Sequence, residues 1–135
     1  MNSETVGTFE GVELDQMYRE HILDHYRNPR NHGRLDSGLH FHDHNPLCGD
    51  EIEMFVRVVD GLIADVTFEG KGCAISQASA SMLTEYVKGR DVAQISSMNR
   101  ESMSELVGVH VSVQRVKCMM LPLKVLKRLM LEAQK

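Results

Sequence analysis

The sequence predicts an α+β fold, a small antiparallel sheet of about three strands covered on one face by helices. Three observations carry this. Apolar and polar residues alternate over 51–69, interrupted by Asp60-Gly61, a hairpin turn pair. After Gly72 the apolar spacing changes to three and four residues, the helical period. The chain has 135 residues, enough for one domain with one core.

The elements follow in order. Residues 1–12 read as a flexible tail to a single domain spanning 1–135. Leu14, Met17, Tyr18, Ile22 and Tyr26 share one face of a first helix. It stops near Asn28-Pro29, because proline disfavours helix in the residue before it. Residues 28–38 read as a loop, with Asn28-Pro29-Arg30-Asn31 a structural turn or at most a docking loop. A strand is expected at Leu39–His44. In the next strand Ile52, Met54, Val56 and Val58 share one side. Beyond the hairpin, Leu62, Ala64, Val66 and Phe68 share a face. Residues 74–88 read as a helix with Ile75, Ser79, Met82 and Tyr86 on one side, ending at Lys88-Gly89. One or two short helices fill 91–109. The last helix is expected from about Cys118 to Glu132, with Met119, Leu123, Leu126 and Met130 as its core stripe. Pro122 is placed in its first turn.

Composition excludes several classes. Apolar residues make up 42% and charged residues 25%, a globular balance. Fifteen basic residues against nineteen acidic give −4, so no basic excess exists to hold a phosphate backbone, and nucleic acid is not an expected partner. No apolar run reaches the ~18 residues of a membrane span. The start, MNSETVGTFEGVELD, is acidic and lacks the basic and apolar regions of a signal peptide, so the expected compartment is the cytoplasm.

Three cysteines cannot all pair internally, and in a reducing compartment they are free thiols, ligands or reactive groups. Cys48 lies in the loop NPLCGDE before a strand. Cys73 lies in GKGCAIS between a strand and a helix. Cys118 lies in RVKCMM, expected at a helix start. A helix N-terminus favours an anion and lowers a thiol pKa. Asp50 follows Cys48 by two residues, so a thiolate and a carboxylate can converge there. Three thiolates and one carboxylate complete a four-coordinate site of the kind zinc accepts. An iron–sulfur cluster prefers thiolates, so the carboxylate would be the exchangeable ligand. Against this, a lone cysteine is most often a small buried hydrophobe, and no C-x-x-C is present. Arg115 and Lys117 flank Cys118, and by residue type alone they read as a solvated basic patch. His40, His42 and His44 point the same way on a strand, and a polar strand face explains them better than a metal site. His110 lies eight residues before Cys118, near enough to approach it, but nothing in the sequence requires contact.

The runs MYREHILDHYRNPRNHG, NPLCGDEI, FEGKGCAISQASASML and RVKC resemble the U-type iron–sulfur cluster assembly family, which includes the NifU N-terminal, IscU and SufU proteins. The resemblance covers roughly residues 14–132 and is nearest the SufU branch. It implies the U-type iron–sulfur scaffold fold and a site made by Cys48, Asp50, Cys73 and Cys118. It implies zinc there, with Cys118 accepting persulfide sulfur from a cysteine desulfurase and Arg115 beside it. The alternative it implies is a scaffold on which a [2Fe–2S] cluster or iron is held in transit to apo iron–sulfur acceptor proteins. If the chain is an enzyme at all, the sulfur-accepting reading implies a zinc-dependent sulfurtransferase acting with its desulfurase, with no standalone activity. The chain carries Lys117 where IscU proteins carry a His. Its 44 residues between Cys73 and Cys118 match the IscU interval and not the longer SufU one.

Overall fold

The structure is a computed structural model, and it describes residues 19–108 and 111–134. The expectations for 1–12, Leu14, Met17, Tyr18 and His110 lie outside the described residues. The described part of the first helix, α1, spans 19–27 and ends just before Asn28-Pro29. Three strands follow, β1 (Leu39–Asn45), β2 (Asp50–Val59) and β3 (Leu62–Lys71). Then come α2 (Ala74–Val87), α3 (Val92–Ser96), α4 (Arg100–Val107) and α5 (Val113–Ala133). The strands form one antiparallel sheet in the order β1-β2-β3. Among the described residues no helix is long and apolar enough to cross a membrane.

Alternation sets which face of the sheet is covered. Ile52, Met54 and Val56 are fully buried, and α5 packs on β1 and β2 while α2 packs on β3. The opposite face is polar. There His40 meets Glu53 at 3.0 Å and His42 meets Glu51 at 3.1 Å, both cross-strand pairs, so the three histidines do form a polar strand face. Phe55 lies on that side yet is buried, because the Arg34 guanidinium covers its ring at 4.7 Å.

Four expectations change, three of them in the sheet, α2 and α5. Leu62 is 45% exposed, whereas Ile63 is 1% exposed. The pairing register shifts between Arg57 and Val58, which places an extra residue, Ala64, in β3. A bulge inverts the alternation beyond it, so Ile63 takes the inward position. Next, α2 has no single buried face. Every residue from Ser76 to Thr84 is buried, while Tyr86 is exposed. Its Ala and Ser side chains let β3, α4 and α5 approach from several sides. Last, α5 begins at Val113, so Pro122 sits inside the helix and Cys118 is not at its start. The missing N–H of Pro122 deletes the bond that would tie it to the Cys118 carbonyl. Packing overrides that loss, since Met119, Leu123, Leu126 and Met130 are all buried as expected.

Within α1, Ile22 and His25 point inward and Tyr26 is exposed, which corrects the face assigned to Tyr26. The loop after α1 is stitched down by its backbone. Phe68 N–H donates to Asn31 O at 3.0 Å, and Gly33 N–H donates to Phe68 O at 2.9 Å. Arg30 N–H donates to Ser81 Oγ at 2.8 Å, and the Ser81 hydroxyl shares a hydrogen bond with His25 Nδ1 at 2.7 Å. His25 Nε2 lies 3.7 Å from Glu85.

Burial holds the His25 pKa below its ordinary value, aided by repulsion from Arg30 and His21 and opposed by Glu85 and Asp24. As pH falls through about 6.5, the unfolded chain takes up this proton first, so the fold loses stability there. Urea unfolding between pH 7.5 and 5.5 should show that loss in the wild type and a flatter profile in His25→Gln. Parallel profiles would show that His25 does not carry the effect.

Candidate metal centre

Four sequence-predicted residues reach one end of the sheet from three elements. Asp50 is the first residue of β2 and is 1% exposed. Cys48 precedes it in the exposed turn that leaves β1. Cys73 is the N-cap of α2. Cys118 lies on α5 and is 1% exposed.

The turn between β3 and α2 places Cys73. Gly72 has φ +129°, a conformation that side chains rarely adopt. A Cβ there would stand 2.8 Å from Asp50 Cα and closer still to Asp50 Oδ1. This absent side chain lets the backbone close over the carboxylate. Cys73 N–H donates to Asp50 Oδ1 at 2.8 Å, and the Cys73 thiol donates to Oδ2 at 3.4 Å. The carboxylate therefore takes the place of a capping group at the α2 N-terminus.

Cys48 Sγ and Cys118 Sγ are 3.7 Å apart. Donor atoms of Cys48, Asp50 and Cys118 all lie within 4.8 Å of one another. Cys73 lies outside that trio and joins it through Asp50. Zinc–sulfur bonds of about 2.3 Å in tetrahedral geometry set sulfur atoms about 3.8 Å apart, and a sulfur–oxygen edge at about 3.5 Å. The separations of 3.7 Å and 3.4 Å fit those two edges. Three thiols and one carboxylate suit zinc, and the soft sulfur majority suits iron–sulfur chemistry as well.

Burial pushes the Asp50 carboxyl up, but hydrogen bonds from Cys118, the Cys73 N–H, Cys48 and the Cys73 thiol outweigh it and hold it below its ordinary value. Burial also pushes the Cys118 thiol far up, and hydrogen bonding to Asp50, Cys48 and Cys73 adds to this. The helix-start argument for a lowered Cys118 pKa therefore fails, because Cys118 lies more than a turn inside α5. A bound positive charge is what would make it a thiolate at neutral pH. Arg115 supplies one such charge. It sits one turn before Cys118, and its own pKa is raised by attraction to Cys73, a hydrogen bond to Cys73, and attraction to Cys118.

One neighbour was missed from sequence. Leu47 is 82% exposed on the turn before Cys48, and a single apolar residue in a loop carries no periodicity to mark it.

Residues 17–132 match the NifU-like N terminal domain family. The chain is 44% identical over 89 residues to the zinc-dependent sulfurtransferase SufU of Bacillus subtilis, covering 66% of this chain and 60% of that protein. It thus spans about three-fifths of that relative's length. It is 33% identical over 113 residues to the iron–sulfur cluster assembly scaffold protein IscU 1 of Archaeoglobus fulgidus, covering 83% of this chain and 73% of that protein. Among solved structures it resembles one described as an iron–sulfur cluster assembly scaffold protein for the SUF system from Fervidobacterium islandicum. That comparison has TM-score 0.72 and 30% identity, and covers 82% of this chain and 94% of the other.

Gly72→Ala should push Asp50 out of the turn and destabilise the fold by about 1–3 kcal/mol or more. Chemical unfolding checks this. A loss below about 0.5 kcal/mol, the level of an ordinary surface substitution, would contradict the close approach described.

Proposed function

The chain belongs to the NifU-like N terminal domain family, and on that premise we propose that it is an iron–sulfur cluster assembly protein that accepts sulfur at a three-Cys, one-Asp zinc site. The single observation that supports this best is the convergence of Cys48, Asp50 and Cys118 within 4.8 Å, with Cys73 hydrogen-bonded to the same carboxylate. Cys48, Asp50, Cys73 and Cys118 would hold the ion. When bound, zinc supplies positive charge that keeps thiols ionised.

The remaining steps belong to the chain. A cysteine desulfurase presents a cysteine persulfide to the exposed end of the site. The Cys118 thiolate attacks its terminal sulfur, the old sulfur–sulfur bond breaks, and the donor cysteine leaves as a thiolate. Cys118 then carries the persulfide. Arg115 offsets negative charge as the sulfur moves, since its guanidinium is attracted to Cys73 and Cys118. Burial of Cys118 keeps the product from bulk water and stray thiols. Asp50 is the one oxygen donor among sulfurs, so it exchanges most readily. Apo iron–sulfur proteins or later assembly proteins would then receive the sulfur.

A second reading is a scaffold on which a [2Fe–2S] cluster is built and passed on. It is favoured by the Archaeoglobus match, which reaches 83% of the chain, against 66% for the Bacillus one. In that case iron and the cluster are cargo, held by the same four residues.

Anaerobically purified protein should carry about one zinc per chain, without labile sulfide, and should stimulate the desulfurase of its own genome several-fold. Cys118→Ser should abolish the stimulation and leave the fold intact. Iron with sulfide, passed on to an apo-ferredoxin, would mean the scaffold reading. Neither metal nor stimulation would reject both. Asp50→Ala should slow turnover and make the bound ion harder to release, at a stability cost of about 1–3 kcal/mol for the unpaired Cys73 N–H. Unchanged release to an apo acceptor would refute the exchange role.

A further inference from the structure

A cleft of about 330 Å³ lies between residues 44–47, the stretch just before Cys48, and one face of α5. Pro46 and Leu47 form one wall, and Lys117, Met120, Leu121 and Lys124 form the other. Leu47 leaves 82% of its surface in water there. With Pro46, Met120 and Leu121 it makes a joined apolar surface that a partner can cover.

Charge indicates the chemistry of that partner. The whole chain carries −4, yet α5 from Val113 to Leu131 holds Arg115, Lys117, Lys124, Lys127 and Arg128 and no acid. Lys124 is neutralised in part by Asp43 at 3.3 Å. Lys117 makes no ion pair among the described residues, and it stands next to Cys118 at the cleft wall. The cleft therefore joins an apolar surface to an unneutralised positive edge on an otherwise acidic protein.

We propose that this cleft seats an acidic segment of the sulfur-donating protein, with an apolar side chain against Leu47 and Met120 and a carboxylate against Lys117. This rests on the sulfur-acceptor reading of the site. Docking there places the donor's persulfide at the exposed Cys48 edge, within a few ångströms of the Cys118 sulfur. Complementary charge speeds the encounter and fixes its orientation, and the apolar contact sets the lifetime of the complex.

The test measures binding of the zinc-loaded full chain to the cysteine desulfurase of its own genome, at 50 and 300 mM salt. Leu47→Asp should weaken the complex roughly tenfold, chiefly through faster dissociation. Lys117→Glu should slow association several-fold at low salt, with the difference shrinking at high salt. Lys88→Glu makes the same change in net charge at the opposite end of α2, roughly 20 Å from Cys73, and should bind like the wild type. Zinc content and thermal midpoint are read for each variant, and Leu47, being exposed, can be changed without a cost to folding. Wild-type affinity in both cleft variants, or equal losses in all three, would overturn the cleft while leaving the sulfur-acceptor reading intact. A wild-type chain that neither binds nor stimulates the desulfurase would overturn both.

Discussion

The contact on which the site depends is one hydrogen bond, from the Cys73 backbone N–H to the Asp50 carboxylate at 2.8 Å. It joins the start of β2 to the start of α2, and so ties the sheet to the helix at the point where the chemistry gathers. The bond satisfies a free amide at a helix N-terminus and stabilises a buried carboxylate at the same time. It forms only because Gly72 brings no side chain between them. The Asp50 carboxylate is thus a structural cap and a ligand in waiting, and a cation competes with the protein's own backbone for it.

Cys118 reaches the same point by a different physical route. It is carried on α5, where it is 1% exposed with Cys48, Asp50 and Cys73 around it. Pro122 removes the one backbone bond to the Cys118 carbonyl within an otherwise continuous helix. Cys48 is the opposite case, an exposed thiol on a turn. The three sulfurs therefore differ in burial, Cys118 being buried, Cys73 intermediate and Cys48 exposed.

Much of this was legible in the sequence. The strands were readable because alternation is a strong signal, and the hairpin because Asp60-Gly61 demands a turn. The cysteine motifs were readable because glycine and aspartate around them imply close backbone approach. What failed did so for identifiable reasons. The bulge at Ala64 adds one residue without changing composition, so Leu62 and Ile63 exchanged faces unseen. Pro122 was read as a helix start because proline inside a helix is costly, and packing across α5 outweighed that preference. Tyr26 was assigned inward by its four-residue spacing from Ile22, whereas the buried partner of Ser81 is His25. The basic character of α5 was visible in its residues, but its position beside the cysteine turn is a property of the fold.

The central claim is that the four donors converge on one cation. The X-ray absorption spectrum of the zinc-bound protein at the zinc edge tests it most directly. Convergence predicts three sulfur neighbours at about 2.3 Å and one oxygen neighbour at about 2.0–2.2 Å. The oxygen should be lost or replaced in Asp50→Ala, and one sulfur should be lost in Cys73→Ser. A shell dominated by oxygen or nitrogen, or one unchanged by either substitution, would show that the metal sits elsewhere and that the close cysteines are only part of the core.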